Sequence, residues 1–340
     1  MSKLRIAVIG CGSIARHRHI PEYAAHPDVE LVAFCDVVPE RANFFANQYH
    51  ATAYSNYEDL LANEKLDAVS VCLPNYLHAP VSIKAAQSGV HVLCEKPMAT
   101  TADEARAMIQ AAEEHHVFLM IGHNQRFMPP HQKAKEILKR GYLGRVISFR
   151  TAFGHPGPES WSVDGKNSWF FRKNEAVMGA MGDLGVHKAD LIRYLLDDEV
   201  SEVGAIVDTL AKNNTDVDDN AVCILKTKKG VIGTLAASWS YQQEDNSTIL
   251  YCEHGVLRLA EDPVNQVVVS LHDGSIENYQ VGAVATNEKQ VTSGVIDDFI
   301  HAIQTGTKPS ISGEEGLRSL SVVLAMIESS DKKTFITVQP

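Results

Sequence analysis

Over the first third of the chain, short apolar runs alternate with segments whose apolar residues recur at helical spacing. LRIAVIG (4–10), ELVAFCD (30–36), DAVSVCLP (67–74), VHVLCEK (90–96) and VFLMIGH (117–123) have the near-continuous apolar character of strands buried on both faces. Between them SIARHRHIPEYAAH, PERANFFANQY, APVSIKAAQSG and TADEARAMIQAAEEHH read as helices. The first is expected to break or end around Pro21; the last is expected to start from a Thr100 or Thr101 cap, with acids in its first turn. Such alternation predicts a parallel sheet covered on both sides.

From about residue 140 the pattern changes. VISFRTAF, EVGAIVDTLA, NAVCILKT, VIGTLAASWSY, STILYCEH, GVLRLAE and QVVVSLHD follow one another as strands, with turns at KKG and HDG. That run predicts a large open sheet, mostly antiparallel. VTSGVIDDFIHAIQTG and GEEGLRSLSVVLAMIESS read as two late helices packing back on the whole. The expected fold class is therefore α/β over residues 1–125, joined to an α+β domain over residues 126–340.

One helical segment between the two regimes, MGDLGVHKADLIRYLL, places Asp183, His187, Asp190 and Tyr194 at i, i+4, i+7 and i+11. At about 100° per residue these make one narrow polar stripe on a helix over 182–196. Leu184, Ala189, Leu191, Ile192, Leu195 and Leu196 cover most of the remainder. A polar stripe of this kind is usually the wet side of a helix. Here an acid and an imidazole one turn apart on the same face, with Gly182 and Gly185 allowing close approach, point to a site instead.

Composition narrows the function classes. A length of 340 residues suits two domains, and 45% hydrophobic with 21% charged residues is ordinary for a globular chain. The formal net charge of −11 argues against a nucleic-acid or anionic-membrane binder, because phosphate attraction needs basic clusters. No apolar stretch approaches the roughly 20 residues of a membrane helix, and the opening MSKLRIAVIGCGS has no leader pattern. The six cysteines are scattered without C-x-x-C spacing, so free buried thiols and a cytoplasmic location are expected. Fifteen histidines include no H-E-x-x-H, and Asp183 with His187 would supply two metal ligands at most, so no metal is expected.

The candidate chemistry begins with GCGSIA, where Gly10, Gly12 and Ala15 close the first strand and open a helix. The first glycine permits the tight turn, the second lets the backbone approach a pyrophosphate, and the third position allows helix and strand to pack closely. Ser13 and Ile14 stand at the helix N-terminus, whose amides and dipole favour phosphate. Asp36 ends the second strand about 20 residues beyond, where it can accept hydrogen bonds from a ribose and would repel a 2′-phosphate. Val37 and Val38 follow it, with no arginine directly after the acid, so NAD is favoured over NADP. The combination identifies a Rossmann-type dinucleotide domain.

Ligands of such sheets bind outside the carboxyl ends of the strands. CLPNYLH (72–78), EKPMA (95–99) and GHNQRF (122–127) fall there, with Leu73, Pro74 and Asn75 on the nicotinamide side and His78 and Glu95 in the same cofactor-facing set. Lys96 lies between Glu95 and Pro97 on a restricted backbone, and X-Pro bonds sometimes adopt cis in tight functional turns. A lysine fixed there can touch the cofactor, donate to a substrate hydroxyl and stabilise developing negative oxygen.

In the order GCGSIA, CLPNYLHAP, CEKPMA, GHNQRF and GDLGVHKADL, the chain resembles the glucose–fructose oxidoreductase / inositol dehydrogenase (Gfo/Idh/MocA) family. Weaker likeness continues through SGVIDDFIHAI and GEEGLRSLSVVLAMIES. The resemblance implies an N-terminal Rossmann domain and a C-terminal domain with an open sheet, through which members often associate as dimers or tetramers. It implies that Lys96, Asp183 and His187 shape the reaction centre, and that Arg126 and the NSWFF segment around Trp169 lie where substrate contacts tend to occur. Where many members have three glycines before the acidic motif, this chain has GAMGD.

Oxidising a secondary alcohol requires a base for the hydroxyl proton, and an imidazole with an ordinary pKa of about 6.5 suits that work. His187 is the expected base, Asp183 its orienter or a substrate ligand, and Lys96 the group favouring the alkoxide. Lys96, Arg126, His155, Asp183 and His187 together suit a substrate with many hydroxyls, since each buried hydroxyl needs a partner. The expected function is NAD-dependent oxidation of a cyclitol or pyranose sugar by a homodimer or homotetramer. The alternatives are a non-catalytic, sugar-sensing regulator of the same fold, or a ketone reductase acting on a sugar derivative.

Overall fold

A computed structural model describes residues 3–282 and 292–339. The chain divides into two compact units that exchange segments. The first takes the chain up to His123, the short stretch Trp161–Gly165, and a stretch ending at Leu317; the second takes Asn124–Ser160, the stretch from Lys166, and the chain from Arg318 onward. A single cut at 125/126 omits both returns of the chain to the first unit.

In the first unit, β1 (Leu4–Ile9), β2 (Val29–Cys35), β3 (Thr52–Tyr54), β4 (Ala68–Val71), β5 (His91–Cys94) and β6 (Leu119–Ile121) form one six-stranded sheet in the order β3-β2-β1-β4-β5-β6. Its registers are all parallel. Strands β1, β4 and β5 are almost wholly buried, because the helices between them cover both faces. Those helices are α1 (Ile20–Ala25), α2 (Pro39–Tyr49), α3 (Tyr57–Asn63), α4 (Asn75–Gln87) and α5 (Ala102–Glu114). Thr101 caps α5 in a reciprocal capping box with Glu104.

Two local expectations are corrected here. The helix after the glycines does not break at Pro21: a π turn over Ala15–His19 runs straight into α1. Pro21 enters near the start of α1, where the missing N–H does least damage. Helix α4 likewise starts at Asn75 and carries Pro80 inside it, rather than beginning at Ala79.

In the second unit, β7 (Val146–Gly154), β8 (Val200–Asp208), β9 (Asn220–Thr227), β10 (Ile232–Ser238), β11 (Thr248–Cys252), β12 (Gly255–Leu259), β13 (Val267–Leu271), β14 (Ile276–Tyr279) and β15 (Ile336–Thr337) form a nine-stranded sheet. Its order is β14-β13-β12-β11-β7-β10-β9-β8-β15, antiparallel except for the central β7–β10 pair. One face alternates cleanly: Ala221, Cys223 and Leu225 point inward on β9 while Val222 and Ile224 point out. The inner face packs on α6 (Pro129–Lys139) and α8 (Val186–Leu196). A short α7 (Lys173–Ala176) precedes α8 in the chain. The last helices are α9 (Val295–Thr305), which starts after left-handed Gly294, and α10 (Gly313–Lys332); Val291, at the head of the expected α9 segment, lies outside the described residues. Strands β3, β14 and β15 and helices α3 and α6 have no counterpart in the sequence reading. The three strands are two to four residues long and mostly half-exposed, too short for alternation to show.

Among the described residues, no helix is long and apolar enough to cross a membrane. All six cysteines are buried and free.

Candidate active site

The nucleotide half is built in the first unit, at the carboxyl ends of β1, β2, β4 and β5. Gly10 has φ +92°, and a Cβ there would fall 2.1 Å from the Cys72 carbonyl oxygen, so only glycine allows β1 to turn beside β4. At Gly12 the reverse holds: a Cβ would meet nothing within 4 Å, leaving an open approach to the backbone. The Asp36 carboxylate, buried at the end of β2, accepts the Cys11 and Val38 N–H groups, each at 2.8 Å. A carboxylate offers about four lone-pair sites, so two such bonds leave acceptor capacity for a ribose diol. This open backbone at a helix mouth, beside a carboxylate, fits a dinucleotide with an unmodified 2′-hydroxyl.

The remaining residues expected around the cofactor divide into two groups. Ile14, Leu73 and Pro74 are half-exposed at the same strand ends, with Asn75 buried at the start of α4. Ser13 stands there too, its hydroxyl donating to the Trp161 carbonyl at 2.7 Å, so a returning segment of chain rests on the helix mouth. His78 and Glu95, by contrast, are turned inward. One His78 nitrogen faces the Leu73 carbonyl at 2.8 Å and the other faces the Pro97 carbonyl at 2.7 Å, which ties the two loops together. Burial holds the His78 pKa below the ordinary imidazole value, against the pull of those two carbonyls. Glu95 is clasped by His19 and Arg18. Both side chains hold the loop ends beside Lys96. Lys96 is half-exposed, and its bond to Pro97 is cis.

The second unit carries its own polar cluster around the start of α8. A π turn over Met181–Gly185 precedes that helix. The Asp218 carboxylate, from the loop before β9, accepts the Gly179 and Met181 N–H groups at 2.7 Å each and so caps the turn. Burial raises the Asp218 pKa in spite of those two bonds. A Cβ on Gly179 would lie 1.9 Å from the Asp218 carbonyl oxygen, so the close approach admits glycine alone.

Asp183 is only 6% exposed. It accepts the Trp239 indole N–H at 3.0 Å, and His155 Nε2 lies 4.0 Å from the same oxygen. His155 Nδ1 accepts the Gly157 N–H at 2.9 Å, which leaves the ring proton on Nε2, the side of Asp183. The rings of His155 and His187 both lie 5.9 Å from that of Phe153 on β7. Trp169 stacks on Phe170, which meets Trp239 edge-on, so a row of aromatic rings leads to Asp183. The structure thus brings Asp183, His187, His155 and Trp169 into one cluster.

The rest of the expected stripe belongs elsewhere. Asp190 takes two hydrogen bonds from Arg126, at 2.7 and 2.6 Å, and a third from Ser319 at 2.8 Å. The Arg126 guanidinium also lies 5.5 Å over the Tyr194 ring. Arg126, expected at a substrate contact, is buried and forked onto Asp190, so it holds α8 in place. Two residues of this half escaped the sequence reading. Trp239 is visible there as one more aromatic in a strand-like run. Lys188 is wholly buried, its ammonium donating to the Asn246 carbonyl at 2.9 Å. Burial pulls the Lys188 pKa down to about 7, against the attraction of Asp245 and Glu244. Among the described residues, no group of three or more His, Cys, Asp or Glu side chains is placed to hold a metal ion.

A parallel sheet with a glycine cradle and an inward acid, joined to an open-sheet unit carrying an Asp–His–Trp cluster, defines a dinucleotide-dependent oxidoreductase. Residues 4–123 match the model of an oxidoreductase family with an NAD-binding Rossmann fold, and residues 131–258 match the Gfo/Idh/MocA C-terminal domain. The chain belongs to the Gfo/Idh/MocA family, as its motifs imply, and its first unit is an NAD-binding domain. It is 26% identical to levoglucosan dehydrogenase of Pseudarthrobacter phenanthrenivorans over 99% of both chains. It is 27% identical to myo-inositol 2-dehydrogenase of Thermotoga maritima, again over 99% of both. The solved structure of a levoglucosan dehydrogenase in complex with NADH and L-sorbose superposes with a TM-score of 0.89 at 25% identity, covering all of each chain.

Proposed function

We propose that the chain is an NAD-dependent dehydrogenase that oxidises a secondary hydroxyl of a pyranose sugar or a cyclitol. The observation that carries this reading is the buried Asp183, fixed by the Trp239 N–H and facing a His155 ring proton, with His187 on the same Phe153 ring. The names of its relatives, dehydrogenases of levoglucosan and of myo-inositol, support the substrate class.

In this reading His187 removes the hydroxyl proton, Asp183 orients the reacting hydroxyl or the imidazole, and His155 donates to a neighbouring hydroxyl. Trp169 offers an aromatic wall to the ring's C–H face. Lys96 stabilises the developing alkoxide. Bound NAD supplies the hydride acceptor. Gly10, Gly12, Ser13, Ile14, Leu73, Pro74 and Asn75 are read as its contacts, and Asp36 takes its ribose hydroxyls. Support for an assembly of identical chains comes from the outer face of the nine-stranded sheet, where Ile206, opposite Val222, and nearby Ile224 and Ile232 are each more than half exposed. A second copy laid on that face would cover them, giving a homodimer or homotetramer. The buried free thiols support a cytoplasmic setting.

The deciding experiment follows NADH absorbance with a panel of levoglucosan, glucose, xylose, myo-inositol and scyllo-inositol. Turnover of at least one member is expected, and His187→Ala is expected to slow it about 100-fold or more while NADH affinity is kept. A wild-type chain that binds NADH yet turns over none of them would point to the sensing regulator. An unchanged rate in the alanine variant would remove His187 as the base.

A further inference from the structure

The helix leaving the glycine turn carries Arg18 and His19, and both are buried. Both reach the same carboxylate oxygen of Glu95, His19 Nε2 at 3.0 Å and Arg18 Nη2 at 3.5 Å. The other His19 nitrogen meets the Ser70 hydroxyl at 3.0 Å, and Ser70 in turn meets the Tyr23 hydroxyl at 2.8 Å. The second Glu95 oxygen accepts the Lys96 N–H at 3.2 Å. Space for the carboxylate depends on Gly122, where a Cβ would come within 3.1 Å of Glu95 Oε1. On the far side of Lys96 the Pro97 carbonyl faces His78. The peptide groups that flank the Lys96–Pro97 pair, Glu95–Lys96 and Pro97–Met98, are therefore anchored by buried side chains.

An ionised carboxylate without partners would be costly in such a place. Burial works to raise the Glu95 pKa, but the His19 hydrogen bond and the charges of Arg18, His19 and Lys96 outweigh it and hold it near about 2. The titratable groups around Glu95 are Arg18 and His19 on the helix, Cys72 after β4, His78 on α4, and Cys94 and Lys96 on its own segment. None of these is a second carboxylate, so Glu95 stays ion-paired with Arg18 across the neutral range.

We propose that Arg18 and His19 are positioning residues for Lys96: through the Glu95 carboxylate they join the helix that meets the dinucleotide's phosphates to the strand end that presents the lysine. Loading of the nucleotide and placement of the amine are then one structural event, since π turn, carboxylate and lysine backbone form a single bonded chain. This rests on the reading of Lys96 as the group that stabilises the alkoxide. The bonds themselves do not depend on which sugar is the substrate.

The test uses the full chain and three variants, His19→Phe, the milder His19→Gln, and Glu95→Gln. Glutamate labelled at Cδ with carbon-13 reports the Glu95 carboxyl, identified by its loss in Glu95→Gln. In the wild type it is expected not to titrate between about pH 4.5 and 8, whereas in His19→Phe it titrates inside that window. Acetylation of Lys96 by acetic anhydride, read by peptide mass spectrometry against Lys84 in the same chain, is expected to quicken about threefold or more in His19→Phe and Glu95→Gln. His19→Gln, which keeps a donor, restores most of the wild-type rate. Saturating NADH slows Lys96 acetylation in the wild type and loses most of that effect in His19→Phe. A Lys96 rate equal to wild type in both His19→Phe and Glu95→Gln overturns the proposal, as does a Glu95 that stays ionised without His19. Failure to oxidise any polyol would defeat the dehydrogenase reading while leaving these measurements as they are.

Discussion

Asp183 shows how far a single residue can be read from its neighbours in the chain. Its spacing from His187 and its place in a known motif single it out, but its hydrogen-bond donor, Trp239, lies 56 positions away and is delivered by β10. Removing that donor leaves a buried carboxylate short of a partner, a loss of about 1–3 kcal/mol. Trp239→Phe is therefore expected to lower kcat about tenfold or more with a smaller change in KM, measured on whichever polyol the wild type accepts. Lys188 makes the opposite case, since a lysine one position after His187 gives no local sign of burial and proves to be wholly buried. Its pKa falls from the ordinary 10.5 to about 7 on folding, so between those values the unfolded chain binds more protons and stability rises with pH. The wild type is expected to gain about 2 °C or more in Tm between about pH 7 and 9, measured by calorimetry, and Lys188→Met to lack that gain.

Elements were legible where one periodicity ran long enough to be counted. The buried strands of the first sheet, the capped α5 and the alternating β9 all stand where apolar spacing puts them. Helix α8 was legible as a helix whose polar stripe faces inward, but the partners of that stripe were not. Its polar residues are nearly all buried, because α6 and β7 pack against it while the turn before α6, helix α10 and the loop before β11 supply Arg126, Ser319 and Asn246 as partners. The π turns before α1 and α8 are invisible in the pattern, which measures which residues are apolar and not which carbonyl each N–H chooses. The turn before α8 depends on Gly179 lying against the Asp218 carbonyl. Gly179→Ala is expected to cost at least about 2 kcal/mol in urea unfolding, because the methyl group has nowhere to go.

At the scale of the whole molecule, two sheets of different character carry two kinds of work. The parallel sheet ends its strands at one edge and there presents glycines, Asp36 and Lys96. The open sheet buries one face under helices and leaves aliphatic side chains on the other. If a second copy covers that face, Val222→Lys with Ile224→Lys should yield monomers by sedimentation without unfolding the chain, since both side chains are more than half exposed. Sequence alone determined the longer elements and their order, the parallel and antiparallel character of the two sheets, the dinucleotide cradle and the motif residues Lys96, Asp183 and His187. Those follow from short-range facts: apolar spacing, the turns only glycine can make, and residue types at fixed offsets. Tertiary structure alone decided that Arg126 and Asp190 are a structural pair, that Glu95 and His78 brace the loops beside Lys96, and that Trp239 and Asp218 support the acid and its helix. A buried charge takes as its partner whatever the fold brings near it, and that choice is made across tens of residues, where no local pattern reaches.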